Sequence, residues 1–346
     1  MTETTAHAPD DELAVEAEAP ERVPWWQRFV TGSSTWIGLI LVALIAAFSV
    51  IEYESFVSVS NARNVATDAA VLLVIATGMT YVIITAGIDL SVGAVLVFSG
   101  VLSVKAMNAV GGDNWGTILV GLGVALASGL GWGILNGFLV AKARIPPLIV
   151  TLGTLGMSLG AALLITGGVD ERDVPFKLVS TIGTGRLFDQ VPWLVIIAFT
   201  VALVFGILLA KTRFGRYTYA VGSNEEAARR TGIAVDRHLI KVYALAGTLS
   251  GLAGFMSLAR FATTTLGGHD TDNLQAIAAV VIGGTSLFGG VGTMLGTVFG
   301  VFIPAVLANG FVIVGLQPFW QQVAVGAVLI GAVYLDQLRR RSQRRQ

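Results

Sequence analysis

The chain reads as all-α: a polytopic membrane helical bundle of about ten transmembrane helices, with both termini in the cytoplasm. Three observations predict this. The 346 residues are 54% hydrophobic and only 13% charged, with a mean hydropathy of +0.75, whereas soluble domains carry about 25% charged residues. Apolar runs recur near the length that crosses a bilayer, about 20 residues of helix. Basic residues gather in alternate loops rather than evenly along the chain.

Residues 1–23 are expected to form a disordered acidic cytoplasmic tail. The first 21 residues carry seven carboxylates and no Lys or Arg, too polar a segment to bury a core. Such a start also lacks the positive region of a cleavable signal. Trp25, Trp26 and Phe29 beside Arg28 fit an amphipathic entry helix at the membrane interface. The membrane domain covers 24–338, and 339–346 is a basic cytoplasmic tail. Expected spans are roughly 35–52, 66–86, 91–110, 117–141, 147–167, 191–210, 239–258, 274–288, 291–309 and 315–335.

Ten spans put both ends of the chain on one side, and the charges test that parity. Lys142 and Arg144, the seven basic residues of 211–241, and five arginines after Leu338 all fall on one face. The opposite loops are mixed or acidic, with Glu52, Glu54, Asp170, Glu171 and Asp173. Basic loops stay on the cytoplasmic side, so the termini and the 211–238 loop are assigned there.

Glycines stand at helical spacing. Gly129, Gly133 and Gly137 continue a row through Ala125 and Gly121; Gly292, Gly296 and Gly300 form another, and Gly247 and Gly251 a third. Small residues at such steps let helix backbones approach closely in lipid, and packing within the chain is the simpler use of each row. Two Gly-rich breaks interrupt the apolar runs, at Gly87–Gly93 around Asp89 and at Ile282–Gly292. Irregular backbone at membrane depth is tolerated only inside protein or beside water, and such interruptions point toward a translocation route or its gates. The alternative is a tight turn with Asp89 capping a helix that starts at Ser91.

One segment is polar and self-sufficient. In 222–233, Ser223 with Glu226 reads as a capping box. Glu225 and Glu226 occupy the first turn, and Arg229 and Arg230 the last, as the helix dipole favours. The pairs Glu225/Arg229 and Glu226/Arg230 are spaced i,i+4, and Gly232 supplies a left-handed stop. A docking helix for another protein and an ordinary solvated loop helix both fit.

Catalytic sets are missing from the sequence. With no cysteine there is neither a thiolate nucleophile nor a disulfide framework. His7, His238 and His269 are scattered, one in the tail and two in expected loops, so no metal cluster is predicted. No lysine follows a glycine, which excludes a phosphate-binding loop; any ATP chemistry belongs to another chain. Lys105 is the only clear mid-span ionisable candidate, about a turn from the outer end of its span and near enough to snorkel. That disfavours, without excluding, a self-contained secondary carrier or channel.

The Glu226-Ala-Ala-Arg-Arg-Thr-Gly232 element resembles the EAA-x3-G loop of binding-protein-dependent ABC importer permeases. Gly87-Ile-Asp-Leu-Ser-Val-Gly93, Asn136-Gly137, Ile145-Pro-Pro-Leu-Ile-Val-Thr-Leu-Gly153, Thr212–Arg216 with Ala220–Asn224, and Ala276–Gly284 narrow the resemblance to the monosaccharide branch, the ribose/xylose/galactose type. It runs from about 35 to 335 in order. The departures are minor: Ala86 stands before Gly87, and Leu148 stands where Phe is common. The resemblance implies a transmembrane subunit of the bacterial plasma membrane, one of two around a central pathway, with a homodimer expected. A cytoplasmic ATPase pair carrying ATP and Mg would grip Gly222, Ser223, Asn224, Glu225, Glu226, Ala227, Ala228, Arg229, Arg230 and Gly232. An extracytoplasmic solute-binding protein would deliver the sugar and set most of the specificity. No cofactor is expected in this chain, and lipid but no nucleic acid is an expected partner. Asp89, Ser91, Asn136, Thr151, Thr154 and Thr285 are the candidate gate or pathway residues, with Ser158 beside them.

Overall fold

A computed structural model describes residues 33–317 and scattered positions between 320 and 334. The expected tails, the entry helix and most of the expected span 315–335 lie outside the described residues. The main helices are α1 (Ser33–Ile51), α2 (Val59–Ile84), α3 (Val92–Val110), α4 (Trp115–Ala141), α5 (Pro147–Thr166), α6 (Trp193–Lys211), α7 (Arg213–Ser223), α8 (Glu225–Arg230), α9 (Val235–Phe261), α10 (Asp272–Ile282) and α11 (Met294–Ile313). Among the described residues seven helices, α2–α6, α9 and α11, are long and apolar enough to cross a bilayer; the apolar Thr35–Ile51 stretch and α10 are shorter.

Local chemistry sets the helix starts. Ser58 accepts from Asn61 N at 3.1 Å, Asn114 from Thr117 N at 3.2 Å, and Thr293 from Gly296 N at 3.0 Å, each satisfying an amide that the helix leaves unpaired. Pro147 opens α5 after Pro146, and Gly167, at φ +65, closes it. The expected span 274–288 is corrected by α10. Its eleven residues rise only about 16 Å, because the Gly283-Gly284 pair stops the helix, Gly284 at φ +84.

α2 and α9 are buried along most of their length, while α4, α5 and α6 each keep one side outside. The exposed side chains there, among them Leu119, Phe138, Leu152 and Leu164, are apolar, as a lipid-facing surface requires. The centre is assembled by small residues. A methyl group on Gly129 would collide with the Gly247 carbonyl; one on Gly133 would lie 2.8 Å from Ala244 Cα, and one on Gly137 2.7 Å from Ile240 Cα. Residue numbers rise on one helix as they fall on the other, so α4 and α9 run antiparallel with backbones in contact. Two of the three predicted rows therefore face each other. The third packs within the chain as well: Gly296 and Gly300 lie against the backbone of Gly283 and Ala279.

Polar pairs join the remaining helices. Thr80 and Thr297 share a hydrogen bond of 2.7 Å, and Asn61 donates to Asn309 at 3.0 Å, tying α2 antiparallel to α11. Lys105 pairs with Glu171 of the 167–192 connection; an ion pair, rather than snorkelling alone, accounts for its place. His238 is buried inside α9, not in a loop, and shares a 3.0 Å hydrogen bond with Thr218 Oγ1. His269 does lie in a connection, between α9 and α10, and is buried. No group of three or more potential metal ligands occurs among the described residues.

Candidate functional site: the α8 junction

α8 is held by charge and by one small apolar contact. Asn224 Oδ1 accepts from Ala227 N at 2.9 Å. This corrects the capping box predicted on Ser223, because α7 runs through Ser223 and leaves Asn224 as the extended residue between the helices. The two i,i+4 pairs form as predicted: Arg229 Nη2 to Glu225 and Arg230 Nη2 to Glu226, each at 2.8 Å. Gly232, at φ +85, ends the segment. Ala228 alone is buried, in a cluster with Ala141, Val221, Val235 and Leu239. The side chains of Glu226 and Arg230 are 75% and 79% exposed, so α8 presents its charges outward.

Asp236 was not singled out in the sequence, yet it anchors the helix. It accepts from Arg229 at 2.5 Å and from Lys142 at 2.9 Å, linking α8 to the first turn of α9 and to the 142–146 loop. The carboxylate lies seven residues beyond Arg229, a spacing outside the i,i+4 rule by which α8 was read.

α7 fastens α8 to the end of α2, just ahead of the first break, and to the second break. A methyl at Gly222 would overlap the Ile84 carbonyl and lie 2.8 Å from Gly290 N. Gly290 N itself donates to Ile84 O at 2.8 Å. Gly289 and Gly290 adopt φ +81 and +76, which side-chain-bearing residues take only at a cost, and that turn brings them against Gly222 and Ser223. Tyr219 OH donates to Gly292 O at 2.8 Å. The end of α2, the second break and the end of α7 thus form one backbone knot, one residue away from α8.

The first break carries a buried polar cluster. Asp89 is 1% exposed, and its Oδ1 accepts from Ser91 N at 2.9 Å and from Ser91 Oγ at 2.6 Å. α3 begins at Val92 with Ser91 as its cap residue, so Asp89 closes a side-chain turn just ahead of the helix. Asn136 Nδ2 donates to Ser91 Oγ at 2.9 Å, and Thr151 Oγ1 reaches Ile88 O at 3.4 Å. Asn136 stands five residues before the end of α4, about 7 Å inside it, so the carboxylate is held within the bundle. Asn136 Oδ1 and Tyr243 OH are fully buried without a hydrogen-bond partner among the described residues, and a methyl at Gly87 would lie 2.6 Å from that hydroxyl. Unpaired buried polar atoms are costly. A cavity of about 680 Å³ leads from Glu225, Glu226 and Arg229, past Arg144, to Gly87 and Tyr243.

Asp89, Ser91, Asn136 and Thr151 come together. Thr285 lies in the second break, buried, its Oγ1 unpartnered, and bonds to none of them. Thr154 and Ser158 bond back to carbonyls of their own helix and stand apart. Tyr243 went unnoticed because a tyrosine in a span ordinarily reads as core; the signal was its place one helical turn below Gly247, on the face that packs on α4.

Seven apolar helices long enough to cross a bilayer among the described residues, an exposed charged helix and Gly-rich breaks within the bundle fit a polytopic membrane transport subunit. Comparison makes this specific: a family profile described as branched-chain amino acid transport system / permease component matches residues 61–333, and the chain belongs to that family. Among its relatives, the D-allose transport system permease of Escherichia coli K12 is 35% identical over 94% of this chain and 97% of its own length. The ribose import permease of Bacillus subtilis 168 is 37% identical over 87% and 91%, and the fructose import permease of Rhizobium meliloti 35% over 90% and 87%. No solved structure matches. Membership makes the chain a multi-pass membrane permease rather than an enzyme.

Proposed function

We propose that this chain is the transmembrane subunit of an ATP-driven importer for a neutral monosaccharide or related polyol, working in a bacterial plasma membrane. The carrying observation is the junction: an exposed charged helix joined by α7 to the end of α2 and to the second break. A cytoplasmic ATPase, holding ATP and Mg, would dock on Gly222–Gly232 and move α8. Since α7 is fixed to Ile84 and Gly290 by backbone contacts, displacement of α8 pulls on the end of α2 and on the second break together. Rigid-body switching of this kind is the usual route from a local event to a change of access. Cytoplasmic termini and a second copy of this chain complete the reading. A solute-binding protein delivers the cargo from outside.

Sugar cargo is supported by relatives that import allose, ribose and fructose. Asp89, Ser91, Asn136 and Thr151 are assigned a gating rather than a sugar-binding role, because they are buried against one another. Thermal-shift titration of the cognate binding protein against neutral sugars, acidic sugars, nucleosides and amino acids tests the cargo class. Stabilisation by a neutral pentose or hexose is expected; a response confined to amino acids or nucleosides would exclude sugar.

A further inference from the structure

Away from α8, two adjoining cavities of about 490 Å³ each share Asp68 and Arg260 as a common wall. Asp68 stands on α2, roughly 24 Å of helix from Ile84 at the junction, and Arg260 is the penultimate residue of α9. Arg260 Nη1 donates to the Thr67 carbonyl at 2.8 Å, and Nη2 pairs with Asp68. The first cavity is basic, since Arg63 and Arg186 join Arg260 there. The second is rich in acceptors: Asp68, Asp272 and Gln275 line it together with the single guanidinium of Arg260 and the ring of Phe261.

His269 also lines the second cavity, but both its nitrogens are engaged. Nδ1 donates to Asp272 Oδ2 at 2.7 Å, because a carboxylate can only accept, and Nε2 then accepts from Ser257 Oγ at 2.8 Å. That bond fixes Asp272 through one oxygen. Gln275 donates Nε2 to Thr271 at 3.0 Å, so its amide oxygen has no donor among the described residues.

We propose that the second cavity is a low-affinity subsite for a neutral polyhydroxylated solute, a monosaccharide or polyol. The inference rests on the importer reading above. Each sugar hydroxyl both donates and accepts, so its recognition needs acceptors beside donors; oxygens of Asp68, Asp272 and Gln275 accept, and Arg260 donates. Two carboxylates oppose an acidic sugar. Phe261, 45% exposed and with the Arg260 guanidinium 5.0 Å over its ring, adds apolar lining for the C–H side of a sugar ring, the usual complement to a few placed polar groups. The volume lies within the range of small-molecule sites, about 300–1,000 Å³. Affinity is low because Asp68, with a side chain 54% exposed, stays hydrated and must exchange water for ligand.

Saturation-transfer NMR on the assembled permease–ATPase complex in nanodiscs, with the binding protein omitted, tests this. The probes are D-ribose, D-allose and D-fructose, with D-glucuronate as the acidic control. Transfer to at least one neutral sugar is expected, with a Kd on the order of millimolar and a weaker response to glucuronate. Asp272→Asn and, separately, Gln275→Ala should each weaken it about tenfold, the loss of one hydrogen bond. Co-purified ATPase reports assembly of each variant. No transfer to any neutral sugar, from a complex that still takes up cargo from its binding protein, would overturn the subsite and leave the importer reading standing. Transfer undiminished in an assembled variant would overturn it equally. A complex that moves no neutral sugar under any condition would overturn the importer reading, and the subsite with it.

Discussion

At the scale of single residues, two kinds of position control this bundle. The first is steric. Gly133 faces the α9 backbone so closely that a side chain has nowhere to go, and overpacking of this sort costs about 1–3 kcal/mol or more. Gly133→Leu should therefore lower the thermal midpoint of the purified protein and its yield in detergent, whereas Gly123→Leu, where a methyl meets nothing, should change neither. The second is Asp89. An Asp89→Asn chain keeps an oxygen for Ser91 N and Oγ, so stability should change by no more than about 1 kcal/mol. A gating role predicts an assembled complex whose ATPase no longer responds to the loaded binding protein. Undiminished stimulation would reduce Asp89 to a local turn former. The glycine rows were legible in sequence because their spacing is itself the packing geometry. Asp68 with Arg260 and the Tyr243 hydroxyl were not, since partners 192 residues apart meet only after the helices pack.

At the scale of elements, α8 shows what a sequence can and cannot place. Charges, ion pairs and the Gly232 stop follow from spacing within one turn, and all appear in the structure. The cap was read one residue early because Ser223 and Asn224 are both good caps; the choice was made by α7, whose helix continues through Ser223. α10 was read as a full span because apolar composition continues past Ile282, while the backbone stops at Gly283-Gly284. Exposed ion pairs such as Glu226–Arg230 contribute little, about 0.5 kcal/mol, so Glu226→Arg should leave folding and insertion intact. It puts positive charge at a helix start and on the outward face, and ATPase co-purification should fall. Asp236→Asn acts differently, since it releases both Arg229 and Lys142. Limited proteolysis around 225–235 should accelerate in that variant, with the rest of the chain as resistant as before.

At the scale of the whole molecule, the bundle divides into a mechanical end and a remote cavity region. α2 and α9 form a buried centre; the two breaks and α7 meet at one end of it, and the cavities that share Asp68 and Arg260 lie well along α2 from that end. In the proposed importer, a partner that moves α8 acts on the end of α2 and the second break without touching a solute, and the cargo meets groups remote from the ATP. Uptake in proteoliposomes tests this division most directly, using the chain reconstituted alone, with its ATPase, and with both ATPase and loaded binding protein. Labelled sugar should accumulate only in the third preparation and only with Mg-ATP, and Glu226→Arg should abolish that accumulation. Accumulation or rapid equilibration of sugar by the chain alone would contradict the account.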